Sequence, residues 1–396
     1  MRRVAIVLVL LMMAPLALAS PESTVEINYE RRLSDIDLGL NGGEMSPTSE
    51  SILLFGAEGY ARLIDADKAD KSSSDIELEK QTSQDYQDAA WHPGGNTAIL
   101  VGDNGTVLRY VLETHAIQPV DDSSSVADKD LTAVMWRMGG DRFYVGSSDG
   151  SLWSYSESEG FIMLEHDGDS KITDIACHKN QNICVISSLN DGIGVIGKDD
   201  AISWIGAASH TWIGVSCDDG SMNSCSGYGS GKMTTEISLD MSEPAGSTYS
   251  SPSILGQLTG DLISDSIATS SATLLVLAPQ GLVRWDQYDS EAYLMFSNND
   301  SVEEDVLLAA DTIIVAWETD FNTGFFITDE GRVVSFKPLM VTDDTGMVGT
   351  VVMVVVAIAV PGVFLGMIYW NSPWLQRKYN SLFGKKKTTK KTTKKR

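Results

Sequence analysis

The chain has 396 residues, of which 43% are hydrophobic and 21% are charged, and its formal net charge at pH 7 is −25. This length and apolar content suffice for a large core. A balance this acidic repels polyanions, so nucleic acid is excluded as a predicted partner.

The first nineteen residues have the pattern of a secretory signal peptide. Two arginines precede an apolar stretch, and Ala17 and Ala19 form a small-residue cleavage site. An uncleaved signal anchor is the alternative, but the apolar stretch is short and ends in the cleavage pattern. The segment 1–19 is therefore predicted to be removed, leaving a chain that begins near Ser20.

A short β-rich segment, Val25 to Tyr29, precedes the repeats described next and has no neighbouring partner of its own. Val25, Ile27 and Tyr29 alternate with polar residues, as in a strand with one buried face. After the last repeat only about ten residues remain before an apolar stretch, too few for a further strand and a linker. We predict that Val25 to Tyr29 is the outer strand of the last repeat, beside Arg332 to Phe336.

Seven fourteen-residue segments of hairpin character recur along the chain, each with a glycine at its ninth position. The segments are SILLFGAEGYARLI, TAILVGDNGTVLRY, RFYVGSSDGSLWSY, CVISSLNDGIGVIG, the degenerate NSCSGYGSGKMTTE, TLLVLAPQGLVRWD and TGFFITDEGRVVSF. Their glycines are Gly59, Gly105, Gly150, Gly192, Gly231, Gly281 and Gly331, which are separated by 46, 45, 42, 39, 50 and 50 residues. Such a period is typical of one propeller blade per repeat.

Each repeat has room for four short strands joined by tight turns. Asn104-Gly105 and Asp149-Gly150 favour type I′ hairpin turns, which need positive φ at both central residues. Trp91 and Trp136 each lie fourteen residues before their glycine, on a predicted inner strand whose apolar residues pack against neighbouring blades. A β-sandwich is the alternative fold, although sandwiches do not repeat one glycine register seven times.

The region from about Val25 to Leu339 resembles the WD40, YVTN and quinoprotein-like β-propellers. Only Trp285-Asp286 supplies a literal WD dipeptide, and the Gly-His pair of WD40 repeats is missing. The resemblance implies an all-β, seven-bladed propeller over residues 20–340.

The four cysteines form two local pairs, Cys177 with Cys184 and Cys217 with Cys225. Each pair straddles a turn between predicted neighbouring strands, and an oxidising exterior permits disulfides. Closing loops of this size stabilises a fold by about 2.5 kcal/mol in a loop-entropy treatment. Four cysteines allow three disulfide pairings. The alternative to disulfides is that the thiols are free and buried. The spacings between the cysteines disfavour a zinc site.

The histidines His92, His115, His166, His178 and His210 are scattered over four blade regions and lie in no hydrolase or metal motif. His92, before Pro93-Gly94, is interpreted as a turn residue. Asp320, Asn322, Gly324 and Asp329 faintly resemble a calcium loop, for which a solvated turn is the favoured alternative. Asn104 and Asn299 head glycosylation sequons.

Met347 to Trp370 is a 24-residue stretch without a charged side chain. At about 1.5 Å per residue a helix of this length exceeds the roughly 30 Å bilayer core, so a transmembrane helix is predicted after a linker over 341–346. The tail 371–396 contains ten Lys or Arg and no acid. Short basic flanks stay in the cytoplasm, which predicts a type I membrane protein in the cell membrane, its propeller outside.

The tail is interpreted mainly as a topology signal, with binding to anionic headgroups as the alternative. The outer region, Ser20 to Asp344, has 17 Lys or Arg against 54 Asp or Glu, a net charge of −37. This acidity resembles that of marine or halophilic prokaryotic proteins, and an archaeal source is predicted.

The repeats contain no recognisable catalytic motif. We therefore favour a non-catalytic binding or scaffold protein, which contacts a protein or a glycan through the loops on the faces of the propeller. A second hypothesis is an enzyme at the central channel, either a quinoprotein oxidoreductase or a glycosidase. The repeated boxes of sialidases and the tryptophan docking pattern of quinoprotein dehydrogenases are both missing. A third hypothesis is an assembly factor for envelope proteins. Neither cofactor nor metal is predicted.

The topology leads to a test on intact cells. Added protease should remove the propeller and spare the tail from about Arg377 onward, because only the outer region is accessible. Immunoblots against each end of the chain would measure this, with a cytoplasmic protein as the control for cell integrity. A protected propeller would contradict the type I assignment.

Overall fold

A computed structural model describes residues 23–217, 222–255, 262–264, 272–278, 280–286, 291–303, 306, 308, 311–339, 359, 362–364 and 366–383. The chain divides into two compact units, Met1–Leu339 and Met340–Arg396. The first unit contains seven separate antiparallel sheets. The predicted seven-bladed β-propeller is confirmed, and the β-sandwich alternative is wrong.

The strands follow one another blade by blade, except that β1 (Val25–Arg32) belongs to the last blade. Blade 1 contains β2 (Leu40–Met45), β3 (Ser51–Gly56), β4 (Ala61–Asp65) and β5 (Ile76–Glu77); blade 2 contains β6 (Tyr86–Trp91), β7 (Thr97–Gly102), β8 (Thr106–Val111) and β9 (Ala116–Pro119). Blade 3 contains β10 (Leu131–Trp136), β11 (Phe143–Ser147), β12 (Leu152–Ser156) and β13 (Gly160–Met163); blade 4 contains β14 (Ile172–Cys177), β15 (Cys184–Ser188), β16 (Gly192–Ile196) and β17 (Ile202–Gly206).

Blade 5 contains β18 (Trp212–Cys217), β19 (Ser224–Gly229), β20 (Met233–Ser238), β21 (Thr248–Tyr249) and β22 (Ser253–Ile254), the last two of which both pair with β20. Blade 6 contains β23 (Leu262–Ser264), β24 (Thr273–Leu277), β25 (Gly281–Asp286) and β26 (Glu291–Ser297); blade 7 contains β27 (Ile313–Asp320), β28 (Thr323–Thr328) and β29 (Arg332–Pro338). The described residues also include α1 (Asn298–Glu303) and α2 (Pro373–Phe383), and residues 362–364 and 366–371 are helical as well.

The ring closes through pairing between the two ends of the propeller. Strand β1 runs antiparallel to β29, with Ile27 opposite Phe336, so the predicted closure is confirmed. Val25 and Ile27 are buried as expected, but Tyr29 is 45% exposed. The pairing register shifts between Tyr29 and Arg31, and a bulge of this kind bends a strand and redirects its side chains.

From blade 7 through blade 1 to blade 6, the first strand of each blade contacts the first strand of the next, and between blades 6 and 7 strand β24 contacts β27. The inner strands surround the central channel. Trp91 and Trp136 end two of these inner strands and are buried, as predicted. The core consists of apolar layers between adjacent blades. Across the seam, for example, the buried Trp317 of blade 7 donates its indole N–H to the carbonyl of Ala66 in blade 1 at 3.0 Å.

Every inner strand has a register shift at its second residue, which no sequence signal had predicted. The residues at this shift, in the seven described sheets, are Asn41, Gln87, Thr132, Thr173, Ile213, Ile263 and Ile314. A β-bulge increases local twist and redirects a side chain. Its repetition gives the inner strands a common bend at one level of the channel.

The turn predictions are confirmed in part. Asn104 and Gly105 have φ of 52° and 69°, as a type I′ turn requires. At Asp149-Gly150 only the glycine has positive φ, 84°, so this turn is of another type. Gly281 begins β25 and is not among the residues with positive φ. It occupies the glycine position of its repeat but does not adopt the positive-φ turn conformation seen at Gly105 and Gly150.

Several sequence predictions fall wholly or mainly outside the described residues. These are the signal peptide 1–19, the linker 341–346 and most of the span from Met347 to Trp370. No helix among the described residues has the length and apolar character needed to cross a bilayer. Within the predicted basic tail, the described part forms α2.

Deleting Pro21 to Glu30 while keeping the signal sequence should sharply lower the thermal midpoint, because it removes most of β1 from the closing sheet. Protease resistance should fall at both ends of the propeller together. Differential scanning calorimetry with limited proteolysis would measure both effects.

A matched pair of point variants tests the same closure with less disruption. Ile27→Ala should destabilise the fold by about 2–5 kcal/mol, as expected for a buried branched residue, whereas Tyr29→Ala should have little effect. An unchanged midpoint in the deletion, or equal effects of the two substitutions, would contradict the closure.

Candidate functional site at the channel mouth

The central channel contains a cavity of about 260 Å³ enclosed by the inner strands. Polar side chains from the bulges line part of it, namely those of Asn41, Gln87, Thr132 and Thr173. On the side of blades 6 and 7 the lining is mainly aliphatic, with Leu274, Val276, Ile313, Ile314 and Val315. The channel therefore has a polar side at blades 1 to 4 and an aliphatic side at blades 6 and 7.

Two carboxylates of this cavity join adjacent inner strands. Asp88 of blade 2 accepts the backbone N–H of Ala89 at 2.8 Å and that of Val134 in blade 3 at 2.7 Å. Asp174 of blade 4 accepts the N–H of Val215 in blade 5 at 2.8 Å in the same way. These bonds supply acceptors to backbone donors at the open edge of a sheet, where the ladder itself has no partner strand.

Between blades 1 and 2 and between blades 3 and 4, the channel side chain is the hydrogen-bond donor and a backbone carbonyl is the acceptor. Asn41 of blade 1 donates its side-chain amide to the carbonyl of Tyr86 in blade 2 at 2.8 Å. Thr132 of blade 3 donates its hydroxyl to the carbonyl of Ile172 in blade 4 at 2.6 Å. From blade 1 to blade 5 the polar channel residues thus alternate as donor and acceptor and hold the inner strands together.

A second cavity, of about 450 Å³, opens where the first and second strands of the blades are joined. We call it the channel mouth, and the end of the propeller on which it lies the hairpin face. Its apolar wall contains Met45, Pro47, Trp91, Pro93, Met135, Trp136 and Met138. Its charged lining comprises Glu44, Asp174 and Lys179, with His178 beside them. The mouth is therefore mainly apolar, and its two carboxylates also line the central cavity.

Two histidines at matching repeat positions connect the turns of this face. His92 and His178 each follow the last residue of an inner strand. The Nε2 atom of His92 lies 3.0 Å from the carbonyl oxygen of Gly140 in blade 3, and that of His178 lies 3.0 Å from the carbonyl oxygen of Met222 in blade 5. His92 is thus a turn residue, as interpreted, but it also contacts the next blade, which the sequence analysis did not predict. The sequence feature that could have indicated this contact is that His92 and His178 both directly follow the inner strand of their repeat.

The other three histidines do not join this site. His115 lies 2.9 Å from the hydroxyl of Tyr110, and His210 packs against Trp212. His166 packs against Trp204, and its burial lowers its pKa below the ordinary value. Within the described part of the chain, no group of three or more metal-ligating side chains comes together.

The structure contains disulfides between Cys177 and Cys184 and between Cys217 and Cys225. Each joins directly opposed residues of the first and second strands of one blade, in blades 4 and 5. Cys177 and Cys217 also line the mouth. The bridges therefore fasten two adjacent hairpins at one side of the cavity.

The remaining candidate residues lie apart from the mouth. Asn104 and Asn299 are exposed, and the Asn104 side-chain amide donates to Gln84 at 2.7 Å. The faint calcium-loop residues do not converge, because Asp320 and Asp329 lie at opposite ends of the six-residue strand β28. Asp329 instead accepts the backbone N–H of Thr312 at 2.9 Å.

Blade 7 presents an aromatic residue on the hairpin face. Its inner strand has eight residues, whereas that of blade 1 has six, and Phe321 in the following turn is 67% exposed. The guanidinium of Arg284 lies 4.7 Å from the centre of this ring and 2.5 Å from a carboxylate oxygen of Glu318. Burial raises the pKa of Glu318, and Arg284 opposes that rise. The guanidinium thus contacts the ring, while most of the ring's surface remains open to solvent.

Comparison with models of known protein families finds no match for this chain, and comparison with curated proteins finds none either. The resemblance to WD40 and related propellers is therefore one of architecture, carried by the seven blades.

The cysteine pairs predict an intact mass. Protein purified without reductant should be lighter than the fully reduced chain by four hydrogens, because two bridges form. Mass spectrometry after alkylation would measure this, and peptide mapping would assign the pairs. Modification of all four thiols before reduction would rule the bridges out.

Proposed function

We propose that this protein is a non-catalytic binding or scaffold protein of the cell exterior, anchored as a type I membrane protein, which holds a partner on the hairpin face of its propeller. The observation that carries the proposal is the channel mouth. It is a concave, mainly apolar cavity of about 450 Å³, the usual form of a binding site.

The composition of the mouth suits macromolecular recognition. Met45, Met135 and Met138 supply flexible, polarizable side chains that adapt to the shape of a partner. Phe321 adds a rigid aromatic ring on the same face, and rigid aromatic residues are common among the residues that dominate binding energy. A surface of this kind binds a partner through buried apolar area and shape complementarity, and it requires no catalytic group.

The polar groups around the channel support binding over catalysis. Asp88 and Asp174 accept backbone donors, and the ring nitrogens of His92 and His178 have backbone partners. We therefore rank a binding protein ahead of a quinoprotein oxidoreductase or a glycosidase. An envelope assembly factor would be one form of the proposed scaffold.

The proposed location follows from the sequence. A signal peptide over 1–19, an uncharged span from Met347 to Trp370 and a basic tail together favour a single-pass protein with its propeller outside. The net charge of −37 over Ser20 to Asp344 keeps the propeller soluble and away from anionic lipid.

Met138→Asp provides a direct test of the hairpin face. Met138 lines the mouth and is 45% exposed, so a carboxylate there should be tolerated by the fold but should disfavour an apolar contact. We expect partners that co-purify with the full-length protein from native membranes to fall at least tenfold, as quantified by mass spectrometry.

The matched control is Met163→Asp on β13, where the methionine is 62% exposed but lies away from the mouth. This variant should retain the partner at the original level. Equal retention by both variants, with unchanged thermal midpoints, would refute the hairpin face as the binding surface.

A further inference from the structure

Two histidines of the hairpin face are held by the backbone in one neutral form. The Nδ1 atom of His92 accepts the backbone N–H of Gly94 at 2.9 Å, so it carries no proton, and its Nε2–H donates to a carbonyl of blade 3. His178 has the same arrangement, because its Nδ1 accepts the N–H of Asn180 at 3.1 Å and its Nε2–H donates to a carbonyl of blade 5. Each ring acts as one donor and one acceptor, which only the uncharged imidazole can do.

Protonation is incompatible with this arrangement at one atom. A proton on Nδ1 turns the acceptor into a second donor, which then faces the backbone N–H of Gly94 or Asn180 at hydrogen-bond distance. The ring must rotate or the turn must open, and either movement takes Nε2 away from the neighbouring blade. His178 is 1% exposed, so its charged form also loses hydration.

The equivalent position of blade 3 holds a contact that acid does not break in this way. Arg137 follows the inner strand of blade 3, as His92 and His178 follow theirs. Its guanidinium donates to Asp141 at 2.8 Å and lies 3.7 Å from Asp200 in blade 4. The hydrogen bond from Arg137 lowers the pKa of Asp141, so this pair stays charged in mild acid. Three successive blade junctions thus use one repeat position, and the two with histidine depend on an uncharged ring.

The elements that contact His92 have charged groups only in the turn of blade 3. His92 contacts this turn at Gly140 and packs against Trp136 of β10, a strand without charged residues. The charged residues of the turn are Arg137, Asp141 and Arg142, all of which form ion pairs. Because Asp141 is engaged by Arg137, it offers little stabilisation to a charged His92 ring.

His178 has charged groups of both signs near it. Those that line the mouth with it are Lys179, Glu44 and Asp174. The turn of blade 5 that supplies its carbonyl partner also contains Asp218 and Asp219, which lie outside the described residues. Carboxylates favour a charged ring, whereas lysine and burial oppose it. The two histidines therefore need separate tests.

We propose that the hairpin face is acid-sensitive: the uncharged rings of His92 and His178 hold blade 2 to blade 3 and blade 4 to blade 5, and their protonation releases both contacts and the partner bound there. Only the release of the partner rests on the proposed binding function. In the unfolded chain a histidine binds its proton near pH 6.5. Because the folded contacts exclude that proton, their stabilisation is present above about pH 6.5 and is lost as the pH falls below it.

The first test measures denaturant unfolding of the full-length protein at pH 7.5 and pH 5.5. His92→Gln and His178→Gln keep a side-chain N–H donor but cannot be protonated. Between these pH values the ratio of folded to unfolded protein should fall about tenfold more in the natural chain than in either variant, because one titrating group is absent from each variant. His115, His166 and His210 are present throughout, so their titration cancels. An equal fall in all three proteins would overturn the proposal.

The second test needs no substitution. Hydrogen exchange, corrected for its intrinsic pH dependence, should accelerate about tenfold from pH 7.5 to pH 5.5 at the N–H groups of Gly94 and Asn180, which bond to the imidazoles. The internal control is the N–H of Asp200, which donates to the Gly197 carbonyl at 3.1 Å beside the Arg137 contact, and its exchange should not change. Unchanged exchange at Gly94 and Asn180 would contradict the proposal even if a glutamine variant failed to fold.

Partner retention separates this inference from the proposed function. Partners that co-purify with the natural chain should fall at least tenfold when the wash is changed from pH 7.5 to pH 5.0, whereas the double glutamine variant should retain them. If Met138→Asp releases the partner but the acid wash does not, acid release is wrong and the proposed function stands. If Met138→Asp leaves the partner in place, the proposed function is wrong, and the unfolding and exchange results alone decide whether the histidine contacts are acid-sensitive.

Discussion

The pairing of β1 with β29 is the interaction on which the rest of this propeller depends. It buries Val25 and Ile27 in the apolar layer between blades 6 and 7 and gives the last blade the fourth strand that its other three strands lack. A ring of blades must close within a fixed number of units, because each apolar face needs a neighbour. On the opposite face of the last blade, toward blade 1, the Trp317 indole donates to the carbonyl of Ala66.

The open edges of the inner strands explain the polar lining of the channel. Inner strands have no ladder partner on the side of the axis, so their backbone groups need other acceptors and donors. The bulge residues Asn41 and Thr132 and the two aspartates supply these in the central cavity. Polar side chains thus lie where the strands converge, and the wider mouth at the hairpin face is lined mainly by apolar residues, among them methionine, tryptophan and proline.

The mouth combines a rigid side with an adaptable one. In blades 4 and 5 the disulfides and the contact from His178 to the Met222 carbonyl constrain the turns. Blades 1 and 3 supply the methionines, whose flexible side chains tolerate different shapes. Because these turns are already constrained, less conformational entropy is lost when a partner binds. This suits a surface that recognises another chain.

From its sequence alone, the blade count, the closing strand and the inner position of Trp91 and Trp136 could be predicted, because a repeated spacing and local alternation carry that information. The exposure of Tyr29, the seven bulges and the different surroundings of the two indoles could not. These features depend on which side chain of one blade meets the next, as His92 meets Trp136. Contacts between residues about 45 positions apart leave no local pattern, so only the tertiary structure decided where the channel mouth lies and which side chains of neighbouring blades meet beside it.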